Sequence, residues 1–262
     1  MSLENAAPQA EPVLRRPGEG EVIRDTAQRT LLILLAHELL DVTWTRLEAG
    51  EPGADPHLHR QHADSFLVLE GEIVFALGPG LEEVRAPAGT WVSVPPGVVH
   101  GFRNTDDVRS VYLNYHAPSG GFAEYLRGRG EGFDNFDPPA DGGQPLSDVV
   151  ITPPDGGEKF LREDRVNVIK GELTEISAFR LSVEPAWPGI GAHEHDDQVD
   201  TFFVIEGEAG LVVGDEIVRA PAGSFYGAPP GRRHGIVNEP GQAIVFLNVH
   251  SPDVGTAAWV RS

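Results

Sequence analysis

Cysteine is absent from the 262 residues, so neither disulfides nor thiolate ligands are available, and any metal has to be held by imidazoles and carboxylates. Lysine occurs only at positions 159 and 170, and 20 basic residues face 40 acidic ones. Clustered Lys and Arg bind phosphate backbones and anionic membranes, so a formal charge of −20 argues against a nucleic-acid or membrane partner. Long apolar runs are also lacking. The longest early one, Leu31 to Ala36, is far too short to span a bilayer. Residues 1–20, rich in Ala, Pro and Glu, lack the basic-then-apolar order of a secretion signal. A soluble, cytoplasmic protein is the default expectation. Helical periodicity is nearly absent. Short runs such as Leu31 to Leu35 and Leu39 to Leu47 are punctuated by Gly and Pro, as expected of an all-β sandwich or barrel.

Against these absences stands a duplication. His57-Leu58-His59 is followed by Asp64 and Gly71, then by Gly89, Pro95, Gly97, His100 and Asn104. The same spelling returns as His193-Glu194-His195, Asp200, Gly207, Gly223, Pro229, Gly231, His234 and Asn238, displaced by 136 residues at His57 and by 134 at His100. The fillers repeat too: Phe66 to Glu72 with Phe202 to Glu208, Arg85 to Gly89 with Arg219 to Gly223, and Leu113-Asn114-Tyr115-His116 with Leu247-Asn248-Val249-His250. A repeat of this length is a whole domain, far longer than a solenoid unit.

Within each copy the residue types suit a metal. Two residues apart on a strand, His57 and His59 share a face. Asp64 opens the next strand and His100 arrives from a third, so three neutral nitrogens and one carboxylate oxygen can converge. That set suits a borderline divalent ion. The predicted ligands are therefore His57, His59, Asp64 and His100 in the first half, and His193, His195, Asp200 and His234 in the second. His62 lies on the face of Asp64, but Gln198 is its counterpart, which weakens it as a ligand. His116 and His250 recur near strand ends and are read as supporting residues, and His37, opposite Gly171, as a surface residue. Pro95-Pro96-Gly97 and Pro229-Pro230-Gly231 are read as rigid turns that aim the third His inward.

These residues resemble the two-domain members of the cupin superfamily, the bicupins. The family's signatures are Gly-x5-His-x-His-x3-4-Glu-x6-Gly and Gly-x5-Pro-x-Gly-x2-His-x3-Asn. Both halves satisfy the second. They depart from the first by carrying Asp64 and Asp200 in place of Glu, and by placing Gly53 and Gly189 only four residues before the first His. A side chain shorter by one methylene leaves its oxygen about 1 to 1.5 Å short of the usual ion position. The resemblance implies two tandem antiparallel jelly-roll barrels, here an arm at 1–20, domains at 21–119 and 158–262, and a linker at 120–157 with a short helix at 121–127. It implies a divalent ion (Fe, Mn, Ni, Co or Zn), one per domain, and a small-molecule substrate or ligand, and it allows a homodimer.

The function expected is a metal-dependent dioxygenase-type oxidoreductase acting on a small cyclic or aromatic compound. A non-catalytic small-ligand or metal binder is the alternative, as is a cupin isomerase or decarboxylase. Phe66, Trp91, Phe102, Phe202, Phe203, Phe225 and Tyr226 would suit an apolar pocket, although a barrel interior is filled by the same residue types.

Overall fold

The computed structural model describes residues 10–105, 107–239 and 241–262. The arm expected at 1–20 therefore lies outside the described residues as far as residue 9. Strands dominate, and they form two copies of one arrangement. In the first copy a seven-stranded sheet runs, in spatial order, Val150–Thr152, Trp91–Val94, Ala63–Glu70, Ser110–Ala117, Leu40–Leu47, Arg29–His37 and Glu21–Asp25. It faces a four-stranded sheet of Pro52–His57, His100–Asn104, Glu72–Leu77 and Glu82–Pro87. The second copy repeats this with Val13–Arg15, Phe225–Ala228, Val199–Glu206, Ile244–Ser251, Ser177–Val183, Arg165–Glu172 and Glu158–Leu161 against Gly189–His193, His234–Val237, Glu208–Val213 and Glu216–Pro221. All pairings are antiparallel. The change of displacement from 136 to 134 falls in a hairpin, where residues 78–81 of the first copy match only Gly214 and Asp215 of the second.

Each large sheet is completed from outside its own copy of the motif. Val13–Arg15 pairs with Phe225–Ala228 of the second sheet, and Val150–Thr152 pairs with the corresponding Trp91–Val94 of the first. The interior of each sandwich has its own apolar cluster, around Phe66, Phe75 and Val92 in one and Phe202, Phe246 and Leu211 in the other. A third cluster joins the copies. Leu35, Leu67, Trp91, Leu113 and Tyr115 pack with Ile176, Phe203, Phe225, Leu247 and Val249. Each such side chain contributes about 1.5–3 kcal/mol on burial, so the two large sheets are held back to back. Gly171 pairs with Ala178 as Leu35 pairs with Val42, so it stands where the first copy has Leu35 and the counterpart of His37 is Leu173 instead; Trp91 presses on Gly171, where a Cβ would lie 2.2 Å from the indole nitrogen. Lys170, one of the two lysines, is buried beside it and donates to the Pro153 carbonyl at 2.5 Å, and burial pushes its amine down to about 8.

The 120–157 segment packs on the first copy. It contains the helix Phe122–Leu126 and bridges Leu58 to Phe136 and Val98 to Gly143. The helix Thr256–Arg261 follows the second copy in the same place, and both are preceded by a left-handed glycine, Gly121 or Gly255. Among the described residues no helix is long and apolar enough to cross a membrane.

Candidate metal centre

The small sheet delivers the histidines and the large sheet delivers the carboxylate. His57 and His100 end up opposite one another on the paired strands Pro52–His57 and His100–Asn104, as do His193 and His234 in the second copy. Those strands approach closely because Gly53 and Gly189 lead them. A Cβ at Gly53 would stand 2.2 Å from the Phe102 carbonyl oxygen, and one at Gly189 2.4 Å from that of Ile236. His59 does not continue its strand, which stops at His57. It sits in the following turn, and its carbonyl accepts from Gly97 N at 2.6 Å; Gly231 N does the same for His195. With φ of +87° and +70°, these glycines suit the left-handed corner that the Pro-Pro-Gly sequence predicts. In each half this hydrogen bond adds to the strand pairing that already ties the two signatures together.

The ligand atoms of His57, His59, Asp64 and His100 lie within 4.8 Å of one another, and so do those of His193, His195, Asp200 and His234. The ring spacings nearly coincide, with 4.4 Å between His57 and His100 and 4.4 Å between His193 and His234. Asp64 Oδ2 is 3.2 Å from His100 Nε2 and 3.8 Å from His59 Nε2, and Asp200 Oδ2 is 3.1 Å from His234 Nε2 and 3.8 Å from His195 Nε2. The shorter acid therefore reaches its cluster from its own strand. Atoms bound about 2.1 Å from a shared ion stand roughly 3.0–3.5 Å apart, close to these separations.

Hydrogen bonding sets the tautomers. His57 Nδ1 donates to the Asp55 carbonyl at 2.7 Å, His59 Nδ1 to that of Asp134 at 2.5 Å, and His100 Nδ1 to that of Val98 at 3.0 Å. His193 and His234 do likewise, to Gly191 at 2.8 Å and Arg232 at 2.7 Å. A carbonyl can only accept, so in the neutral rings the Nε2 lone pairs point inward at the carboxylate. His59 Nε2 and His195 Nε2 are buried with no hydrogen-bond partner. Converging lone pairs with no donor between them are what a divalent cation relieves, and the residues present fit one.

Behind each carboxylate stands a supporting chain. Asn114 donates to Asp64, and Asn114 Oδ1 accepts from His116 Nε2 at 3.0 Å; Asn248 and His250 repeat this on Asp200. Burial alone would raise both carboxyls, but the imidazoles around them, His116, His100 and His59 or His250, His195 and His234, hold them below the usual carboxylate range. His62 does not join the four predicted ligands. Its Nδ1 meets Asp134 Oδ2 at 3.0 Å and its Nε2 meets His116 Nδ1 at 2.9 Å, and it groups with His59 and His116 instead. His37 is half-buried, with Nδ1 accepting from Leu39 N.

The two centres differ in cover. Residues 133–136 lie over the first, where the Asp134 carboxylate accepts from Arg60 N and Gln61 N, and Arg60 stacks on Phe136 at 3.8 Å. The His59 side chain is 2% exposed, whereas that of His195 is 27% exposed. Burial and neighbouring His100 push His57 down to about 4. Burial also acts on His234, but its hydrogen bond to Asp200 and that residue's charge raise it above the ordinary histidine value. A metal displaces protons from these rings, so a raised ring competes at higher pH. On acid titration of the metal-loaded protein, the second centre is expected to release its ion at a higher pH than the first. Metal retained after dialysis across pH 7 to 4, read separately in H57A/H59A and H193A/H195A chains, checks this; release in the opposite order would refute it.

Each centre opens into a cavity, about 740 Å³ in the first half and about 660 Å³ in the second. The first is lined by Arg29, Thr43, Thr45, Tyr112 and Phe133, the second by Phe179, Leu181, Trp187, Ile190 and Trp259. Of the aromatic residues singled out in the sequence, Phe102 alone lines either of these two cavities; Phe66, Trp91, Phe202, Phe203, Phe225 and Tyr226 are buried in the apolar clusters. Asp134, Gln198 and the true cavity walls carry no sequence motif. The repeated Asn-x-His of 114–116 and 248–250 was the one available signal for the residues behind the acids.

The cupin-domain pattern matches residues 43–115 and 179–250. An uncharacterized protein of Aquifex aeolicus (strain VF5) is 38% identical over 64 residues, 24% of this chain and 50% of that one, so the match spans about half the length of this curated relative. Among solved structures, protein Ylba from E. coli superposes with a TM-score of 0.67 at 12% identity, covering 95% of this chain and 93% of that one. Oxalate decarboxylase from Bacillus subtilis gives 0.62 at 15% identity, covering 96% and 79%. Likeness at these identities concerns the fold. With the pattern present in both halves and two-barrel proteins superposing along nearly its whole length, the chain belongs to the cupin family as a bicupin.

Proposed function

We propose that the chain is a metal-dependent enzyme of the dioxygenase type, acting on a small cyclic or aromatic compound in the second half. In this reading residues 21–119 and 158–262 each form a metal-binding unit, with one ion held by His57, His59, Asp64 and His100 and another by His193, His195, Asp200 and His234. The observation that carries it is the second cavity, in which an apolar wall of Phe179, Leu181 and Trp187 stands over a partly exposed cluster of three imidazoles and a carboxylate. A divalent ion held there supplies Lewis acidity and, if redox-active, a path for electrons between substrate and O₂. The chain's own groups do the rest. The apolar wall excludes water and orients a ring, and Asn248 and His250 fix Asp200.

The first cavity favours a second reading. Arg29 begins its strand as Arg165 does in the other copy; it is paired with Glu51 at 3.3 Å and donates to the Pro52 carbonyl, and with Thr45 and Tyr112 it gives that cavity a polar wall. A decarboxylase, the activity named for the Bacillus subtilis structure, is compatible with that wall. Reconstitution with iron, manganese, nickel, cobalt or zinc, followed by O₂-uptake screening against small ring compounds, tests the choice. The expected result is ring-dependent O₂ consumption that is lost in His193→Ala. CO₂ release from a small dicarboxylate without net O₂ consumption would favour the decarboxylase. Binding without turnover of either class would leave the non-catalytic binder.

A further inference from the structure

The hydrogen-bond chain behind the second centre has a direction that chemistry fixes. A carboxylate only accepts, so Asn248 turns Nδ2 toward Asp200 Oδ1 at 2.5 Å and toward the Thr201 carbonyl at 3.0 Å. Asn248 Oδ1 must then accept from His250 Nε2, at 3.0 Å. A neutral imidazole has one N–H, already used, so His250 Nδ1 accepts from Gln198 Nε2 at 3.0 Å. What remains at the end is Gln198 Oε1. It is a carbonyl acceptor on a residue only 1% exposed, without a partner, in the cavity wall. Asn167, on the strand Arg165–Glu172, adds another: its Oδ1 is buried in the same wall and also without a partner.

Buried acceptors are costly to leave unmade, and two in one apolar cavity describe what should enter it. We infer that the second cavity is built for a ring compound carrying N–H or O–H donors, accepted by Gln198 Oε1 and Asn167 Oδ1 while the ring lies against Phe179, Leu181 and Trp187. This rests on the proposed substrate site and adds its recognition chemistry. Arg165 is paired with Asp164 at 2.8 Å, so that guanidinium is not left to select an anionic ring. The first half carries Leu31 and His62 at the two equivalent positions. Both nitrogens of His62 are already engaged, so the recognition belongs to the second half alone.

Resorcinol and 1,3-dimethoxybenzene share a ring and differ in donors, and their binding to the zinc-loaded full chain can be followed by calorimetry and ligand-observed NMR. Resorcinol is expected to bind at least about tenfold tighter than the ether, since a site that accepts a substrate O–H rejects the analogue lacking it. Asn167→Leu, which installs the first half's own residue, and Gln198→Met should each shrink that preference, and Asn167→Leu should do so with metal content unchanged. Should Gln198→Met fail to fold, because the amide also holds His250, Asn167→Leu still decides. Equal binding of the two rings by the parent chain overturns the inference and leaves the site reading standing. A preference that survives both substitutions also overturns it, by assigning the discrimination to the metal. Binding of neither ring overturns the inference and the site reading together.

Discussion

Replacing His193 and His195 together by alanine is expected to remove one metal ion per chain and to abolish turnover of a ring substrate. Loss of a metal's charge stabilisation is worth several kcal/mol, on the order of a thousandfold or more in rate. The H57A/H59A chain should also lose one ion, yet keep turnover within about threefold of the parent. Two features give the contrast. Each cluster is assembled from strands and a turn of its own copy, and only the second combines a partly exposed histidine with the apolar cavity. The fold should survive both changes, since the apolar clusters of each copy and the one joining them contain none of these four residues. Steady-state rates and metal content of the two double variants decide it. Turnover lost in H57A/H59A and kept in H193A/H195A would move the reaction to the first half.

The second large effect concerns the acids, where the chain departs from the family's usual Glu. Asp64→Asn and Asp200→Asn should each weaken metal binding in their own half by well over tenfold, which corresponds to about 1.4 kcal/mol. Both carboxylates are buried and held ionised by surrounding imidazoles. An amide in that place removes the negative charge facing the ion and the charge-assisted bond from Asn114 or Asn248. Calorimetric titration of the metal-free variants with zinc measures the loss. Binding equal to the parent would mean that the three imidazoles hold the ion alone and that the carboxylate serves only the supporting chain.

Much of this could be read from the residues because the duplication repeats sparse residue types at fixed spacing. His, Asp, Gly and Pro at matching offsets specify turns and side-chain faces, and those are local properties. The strand pattern, the helix at 122–126 and the convergence of His57, His59, Asp64 and His100 were legible in this way. Other features were not, because they depend on pairing between distant segments. Glu11 to Leu14 could be read as an added strand, and Val13–Arg15 is one, but nothing local says that it completes the second sheet. Asp134 touches His59 and His62 from more than seventy residues away. The cavity walls were hidden for a different reason. Phe179 facing the cavity and Phe202 filling the core are alike in sequence, since alternation marks an inward face without saying whether that face is packed or left open. Even the His-x-His pair resolves differently from a simple strand reading, because Gly97 and Gly231 draw His59 and His195 into turns.

Each half is expected to hold a divalent ion between its small and large sheets. Anomalous diffraction from crystals of the zinc-reconstituted chain, recorded at the zinc edge, tests it most directly. Two peaks per chain are expected, one among His57, His59, Asp64 and His100 and one among His193, His195, Asp200 and His234, each about 2.0–2.2 Å from its nitrogen and oxygen ligands. A fully reconstituted crystal with no peak at either cluster, or with ions only at other residues, would contradict it.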